Sequence, residues 1–108
     1  MSNINKRPQV IRDLLELATY IALDNLDASD LFLSAAETTF QQLAQMPNRG
    51  KLIQFSHPRL AGIRQQAIKG FRKYLVFYQI TNTGIEILRV IHGARDIEGI
   101  LYESLDDE

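Results

Sequence analysis

Tyr74-Leu75-Val76-Phe77-Tyr78-Gln79-Ile80, the link Thr81-Asn82-Thr83-Gly84, and Ile85-Glu86-Ile87-Leu88-Arg89-Val90-Ile91 together decide the fold. Aromatic and β-branched residues fill both runs, as on a pleated, buried surface, and the first reads as a central strand. Asn82 and Gly84 tolerate the positive φ of a tight hairpin turn, which makes the pair antiparallel. Alternation puts Tyr74, Val76 and Tyr78 on one face of their strand and Leu75 and Phe77 on the other. On the last strand it puts Ile85, Ile87 and Ile91 on one face and Leu88 and Val90 on the other.

Working back along the chain, the period of two persists. Leu60 to Ile68 is a less regular strand, with Ile63, Gln65 and Ala67 opposite Arg64, Gln66 and Ile68, and Lys51 to Phe55 is a short one. Before Pro47-Asn48-Arg49-Gly50 the period becomes helical. Pro8 suits a first helical turn, and Val10, Leu14, Leu17 and Ile21 form an apolar stripe that runs to about Leu23. A second helix carries Phe32, Ala36, Phe40 and Leu43 and stops at Met46, ahead of Pro47. Asp27 or Ser29 is its expected N-cap. So short a link makes the two helices a hairpin. The expected fold is α+β: one domain over 1–108, with a helical hairpin at about 8–46. It packs on a sheet of three or four antiparallel strands at about 51–92. An acidic tail over 96–108 adds a helical turn through Ile97, Ile100 and Leu101. Ser2–Lys6 shows hardly any strand pattern, and none is assigned there.

The 108 residues suit one domain, and 45% hydrophobic with 23% charged content is globular. The absence of cysteine excludes disulfides, cysteine-based zinc sites and cysteine nucleophiles. No apolar run approaches the roughly 20 residues of a spanning helix, and Met1-Ser-Asn-Ile-Asn-Lys-Arg-Pro lacks a signal-peptide core. A soluble, cytosolic protein without a membrane partner is expected. The net charge of −1 conceals segregation: −3 over 1–48, +8 over 49–95 and −6 over 96–108. Such a block attracts acidic partners, unless the acidic tail neutralises it within the chain.

The catalytic inventory is thin. Glycine loops for phosphate and paired histidines for a metal are missing, so no cofactor and no metal are expected, and no small-molecule substrate. His57, before Pro58, reads as a solvated loop residue. The cations Arg64, Lys69, Arg72, Lys73, Arg89 and Arg95 remain as candidate partner- or target-binding residues, with His92 close in sequence. They could hold RNA for cleavage, touch DNA in a larger complex, or bind a carboxylate-rich peptide. In His92-Gly93-Ala94-Arg95-Asp96 the glycine permits a turn, a carboxylate holds Arg95, and Asp96 caps the C-terminal segment.

The ordered pieces Asp13-Leu14, Tyr20-Ile21-Ala22, Leu43, Met46-Pro47, Gly50, Gly62-Ile63-Arg64, Phe71 to Tyr78 and Arg89 to Asp96 resemble the ParE/RelE toxin superfamily, over roughly residues 8–101. They look closest to its ParE-like, plasmid-stabilisation branch. That resemblance implies the same helical hairpin on an antiparallel sheet. It also implies a growth-arresting toxin neutralised by a cognate antitoxin, with DNA gyrase as the target of ParE-like members. RelE-like members instead cleave messenger RNA on the ribosome, for which Arg64, His92 and Arg95 would be the catalytic set. Two departures speak against cleavage. Leu75 stands where such nucleases carry an arginine three residues before the strand tyrosine, Tyr78 here. Asp96-Ile97-Glu98 stands where they end with a tyrosine. A protein inhibitor without chemistry of its own is the expectation, and a relic that only binds antitoxin is the third possibility.

Overall fold

The computed structural model describes residues 3–106. Its elements are β1 (Asn3–Lys6), α1 (Pro8–Asp24), α2 (Leu26–Gln45), β2 (Lys51–Leu52), β3 (Arg64–Ile68), β4 (Phe71–Ile80), β5 (Gly84–His92) and α3 (Ile97–Glu103). The five strands form one mixed sheet in the order β1-β5-β4-β3-β2. β4 is central. One face packs on α1 and α2 through Val10, Phe32, Phe40, Leu43, Val76, Tyr78 and Ile87. The other packs under α3 and the 53–63 loop through Leu60, Ile63, Phe77, Leu88, Ile91 and Leu101. The expected α+β hairpin-on-sheet class holds, with Tyr74, Val76 and Tyr78 facing the helices and Leu75 and Phe77 facing away.

Several details differ, each for a physical reason visible in the structure. β1 exists and runs parallel to β5, with Asn3 opposite Gly84 and Lys6 opposite Ile87. Its sequence, Asn-Ile-Asn-Lys, has little strand propensity, so pairing and the burial of Ile4 form it rather than local preference. Gly84 serves that pairing and not a positive-φ turn. The only described residues with positive φ are Gly62 and Gly70, whereas a Cβ on Gly84 would collide with the Asn3 carbonyl oxygen. The turn is closed instead by Thr81, whose Oγ1 accepts from the Gly84 N–H at 3.0 Å. Gly93 likewise turns without positive φ.

The last two helix-to-strand assignments also shift. Asn25, rather than Asp27 or Ser29, caps α2 by accepting from the Ala28 N–H at 3.1 Å. Ser29 is buried and donates to the Ala18 carbonyl across the helical hairpin, 2.7 Å. The 60–68 stretch divides into a 3-10 turn at Pro58–Leu60 and β3. The 51–55 strand is two residues long, because Phe55 leaves the sheet to pack in the cluster under α3.

Two ladder irregularities break the expected alternation. On β5, Phe77 pairs with Arg89 and Tyr78 with Ile87, so Leu88 has no partner on β4. Past this bulge the faces exchange: Ile87 and Val90 face the helices, and Leu88 and Ile91 face α3. On the β3–β4 hairpin, Ala67 pairs with Leu75 but Ile68 with Phe71. Arg72, Lys73 and Tyr74 therefore lack β3 partners. Phe71 and Tyr74 both land on the Phe32 ring, at centroid distances of 5.3 and 5.2 Å. Arg72 and Lys73, between them, are extruded into solvent.

Candidate functional site

β5 outruns β1, and α1 covers the strand edge left open. The carboxylate of Asp13 sits there, 4% exposed. It accepts from the Val90 N–H at 3.0 Å, from Arg89 Nε at 2.7 Å and Nη2 at 2.8 Å, and from Gln9 Nε2 at 3.1 Å. A side chain thus satisfies a backbone donor that a sixth strand would otherwise take. The paired Arg89 also donates to Ser104 Oγ at 2.8 Å, pinning the end of α3. Asp13 was legible in one respect: it is a charge at a helical position between Val10 and Leu17, on the inward stripe.

Arg64 is committed to structure as well. Its Nη1 donates to the carbonyls of Gly50, 2.7 Å, and Asn48, 3.4 Å. Tyr78 reinforces the same loop. Its hydroxyl donates to the Pro47 carbonyl at 2.6 Å and accepts from the Gly50 N–H at 2.9 Å. A Cβ on Gly50 would collide with that phenol. Burial pushes the Tyr78 phenol above its ordinary pKa, against the opposing effects of Gly50 and Arg64, and burial does the same to Tyr74.

His92 ends β5. Its ring meets Tyr74 edge-on at 5.1 Å, and its Nδ1 accepts from the Ala94 N–H at 3.1 Å. With Asp13, Glu16, Arg89 and Arg95 it lines a cleft of about 280 Å³. Arg95 is exposed and has no ion pair with a described carboxylate, contrary to the expectation that one holds it. Asp96 does cap α3, accepting from the Gly99 N–H at 3.3 Å.

Arg64 stands far from this cleft. It lies opposite Tyr78, while His92 lies opposite Tyr74, on different neighbours of β4. Four residues along the strand and two strand spacings separate their Cα atoms by about 16 Å. The structure brings His92, Arg89 and Arg95 together, and leaves Arg64 outside.

Lys69, Arg72 and Lys73 form a third group at the β3–β4 hairpin, all exposed. Arg49, from the 3-10 turn at Pro47–Arg49, joins Lys69 and Arg72 around a second cavity. Among the described residues, the acidic tail does not pair with these cations. Glu98 accepts from the Ser56 hydroxyl and from the Ser56 and His57 amides. The Ser56 hydroxyl bond leads the contacts that hold its carboxyl below the usual carboxylate range. His57 is therefore not a solvated loop residue: its backbone is tied to Glu98 and its ring lies 4.2 Å from Tyr102. The tail's one described ion pair to the basic block joins Asp106 to Arg59 at 3.4 Å, both well exposed.

The sequence matches the model of the family described as the ParE toxin of the type II toxin–antitoxin system parDE, over residues 4–97. The chain belongs to the ParE toxin family. A solved structure, "Chromosomal ParDE TA system from P. aeruginosa", shares the fold with a TM-score of 0.67 at 17% identity. That match covers 85% of this chain and 96% of the other. No curated protein matches the chain. The family match begins at Ile4, inside β1, so the strand that the sequence hardly shows is part of this ParE fold.

Proposed function

We propose that this ParE-family chain is a cytoplasmic toxin that arrests growth by binding DNA gyrase directly, and that a cognate antitoxin neutralises it. The observation that carries this reading is the division among its cations. Arg64 and Arg89 are bound within the fold, whereas Lys69, Arg72, Lys73 and Arg95 face outward without a described acidic partner. Outward charge, with Arg64 held apart from His92 and Arg95, supports recognition by contact. Cleavage of RNA would require Arg64, His92 and Arg95 to converge on one phosphate, and the strand register holds Arg64 about 16 Å from His92. The Tyr78 hydroxyl is committed to the loop, donating to the Pro47 carbonyl and accepting from the Gly50 N–H.

The partner reading follows from the same surface. An acidic antitoxin segment complements the outward cations Lys73 and Arg95, and its affinity falls with added salt. Salt-independent binding would contradict that complementarity.

The test is induced expression with and without the neighbouring antitoxin, scored separately for the DNA-damage response and for mRNA cleavage. Gyrase supercoiling is measured in parallel with purified protein. His92→Gln is expected to keep toxicity and gyrase inhibition, and Arg95→Glu and Lys73→Glu to abolish both. A folded, antitoxin-binding His92→Gln variant without toxicity would overturn the reading, because loss of one proton carrier lowers a reaction by roughly two to four orders of magnitude and leaves an interface largely unchanged.

A further inference from the structure

The cavity at the base of the β3–β4 hairpin holds about 320 Å³. Three elements contribute its polar lining: Thr39 and Gln42 from α2, Arg49 from the 3-10 turn, and Gln66, Lys69 and Arg72 from the hairpin. Its lining contains no carboxylate, and none of its three cations pairs with a described acid. Each cation is placed by structure. Arg64 and Tyr78 hold the carbonyls that flank Arg49. The Lys69 N–H reaches Thr39 Oγ1 at 3.4 Å, and Gly70, at φ 83°, lets the chain turn immediately after it. The unpaired stretch of β4 carries Arg72 outward. Three like charges in one concavity repel one another, and a bound anion relieves that repulsion.

We infer that this cavity is a phosphate-binding subsite for the backbone of duplex DNA. Two guanidinium forks and an ammonium match up to three neighbouring phosphodiesters of one backbone, with the amides of Gln42 and Gln66 as neutral hydrogen-bonding groups beside them. Recognition of a single strand uses aromatic platforms for unstacked bases. No aromatic ring lines this cavity, and the two nearest, Phe71 and Tyr74, pack on Phe32, Tyr74 also on His92. An acidic peptide would be anchored by apolar or aromatic side chains in a pocket, and the lining here is polar and cationic apart from Ala67, Ile68 and Gly70. The subsite does not depend on gyrase being the protein target, and its failure would leave that reading intact.

Purified full-length protein is titrated against a fluorescent 20-base-pair DNA duplex over a salt series, without gyrase. Because the chain carries a net charge of −1, affinity for DNA must come from a local patch. Three phosphate contacts give log K against log salt a slope of about −2.7. Arg49→Gln, Lys69→Gln and Arg72→Gln should each reduce the slope by roughly 0.9, while Arg59→Gln, on the opposite face beside Asp106, should not change it. Arg49→Lys and Arg72→Lys keep the charge and should keep the slope. Circular dichroism confirms that each variant is folded. Equal slopes for the Arg59→Gln variant and a folded triple Gln variant would overturn the inference. So would tighter binding of a single strand of the same length, or displacement of the duplex by a poly-glutamate peptide at equal charge concentration.

Discussion

Replacing Asp13 by alanine should be among the most damaging single changes in this protein. The carboxylate accepts four hydrogen bonds from a site 4% exposed. Its removal takes from Arg89 and the Val90 N–H the carboxylate that they share. Breaking a buried ion pair costs about 3–5 kcal/mol. Arg89 keeps 16% of its side chain exposed, so water partly rescues it and the lower end, about 3 kcal/mol, is expected. That is a large share of the 5–15 kcal/mol typical of a whole domain. It corresponds to a fall of roughly 12 °C in Tm. Asp13→Asn keeps an acceptor for Val90 but offers Arg89 no charge, and should cost about half as much. Thermal and urea melts followed by circular dichroism read both. A double Asp13→Leu, Arg89→Leu variant should lose less than the sum of its single changes, because it strands no charge. An Asp13→Ala midpoint within a degree of the parent, or strict additivity in the double variant, would refute the reasoning.

Phe77→Ala should cost about 3–5 kcal/mol, since the ring is fully buried between the sheet and α3; an unchanged urea midpoint would show that the cluster does not bear on stability. Gly84→Ala should push β1 off β5, read as faster amide exchange at Asn5 and Arg7 with little change at β4. Acidification should loosen the 56–57 loop from α3. Glu98 is held below its ordinary carboxylate range chiefly by the Ser56 hydroxyl. Its contribution is therefore complete above the unfolded pKa and lost as pH falls through the lower folded value. Glu98→Gln should remove that acid-side dependence from the amide shifts of Ser56 and His57.

The sequence made legible whatever depended on composition and period. The helical stripe from Val10 to Ile21, the central strand with its two faces, and the capping by Asp96 all follow from local pattern. The exceptions came from tertiary contact. β1 has one apolar residue and exists because β5 offers it an edge. Gly84 reads as a turn residue in the sequence, but its purpose is to admit the Asn3 backbone. The faces of β5 depart from simple alternation beyond Leu88, because one unpaired residue shifts every later side chain and leaves no mark in the alternation itself. The cationic set was visible as a list of residues, but its division was not. Arg49 contributes only to the charge balance in the sequence, since nothing in Pro47-Asn48-Arg49-Gly50 shows that the turn folds against the β3–β4 hairpin.

Those two ladder irregularities also separate structural cations from outward ones. At the bulge on β5, Arg89 meets Asp13 and Ser104 and serves the fold. On β4, three residues lose their β3 partners, and Arg72 and Lys73 face solvent although both neighbouring aromatics are held on Phe32. The same residue type on adjacent strands thus has opposite uses, and register decides which. A charge-reversal scan should accordingly fall into two groups: Arg64 and Arg89 variants lose stability first, while Arg49, Lys69, Arg72, Lys73 and Arg95 variants melt normally and lose partners. The +8 block is therefore best understood as two sets of charges interleaved along one stretch of chain, of which the outward set alone is open to evolutionary change without refolding the domain.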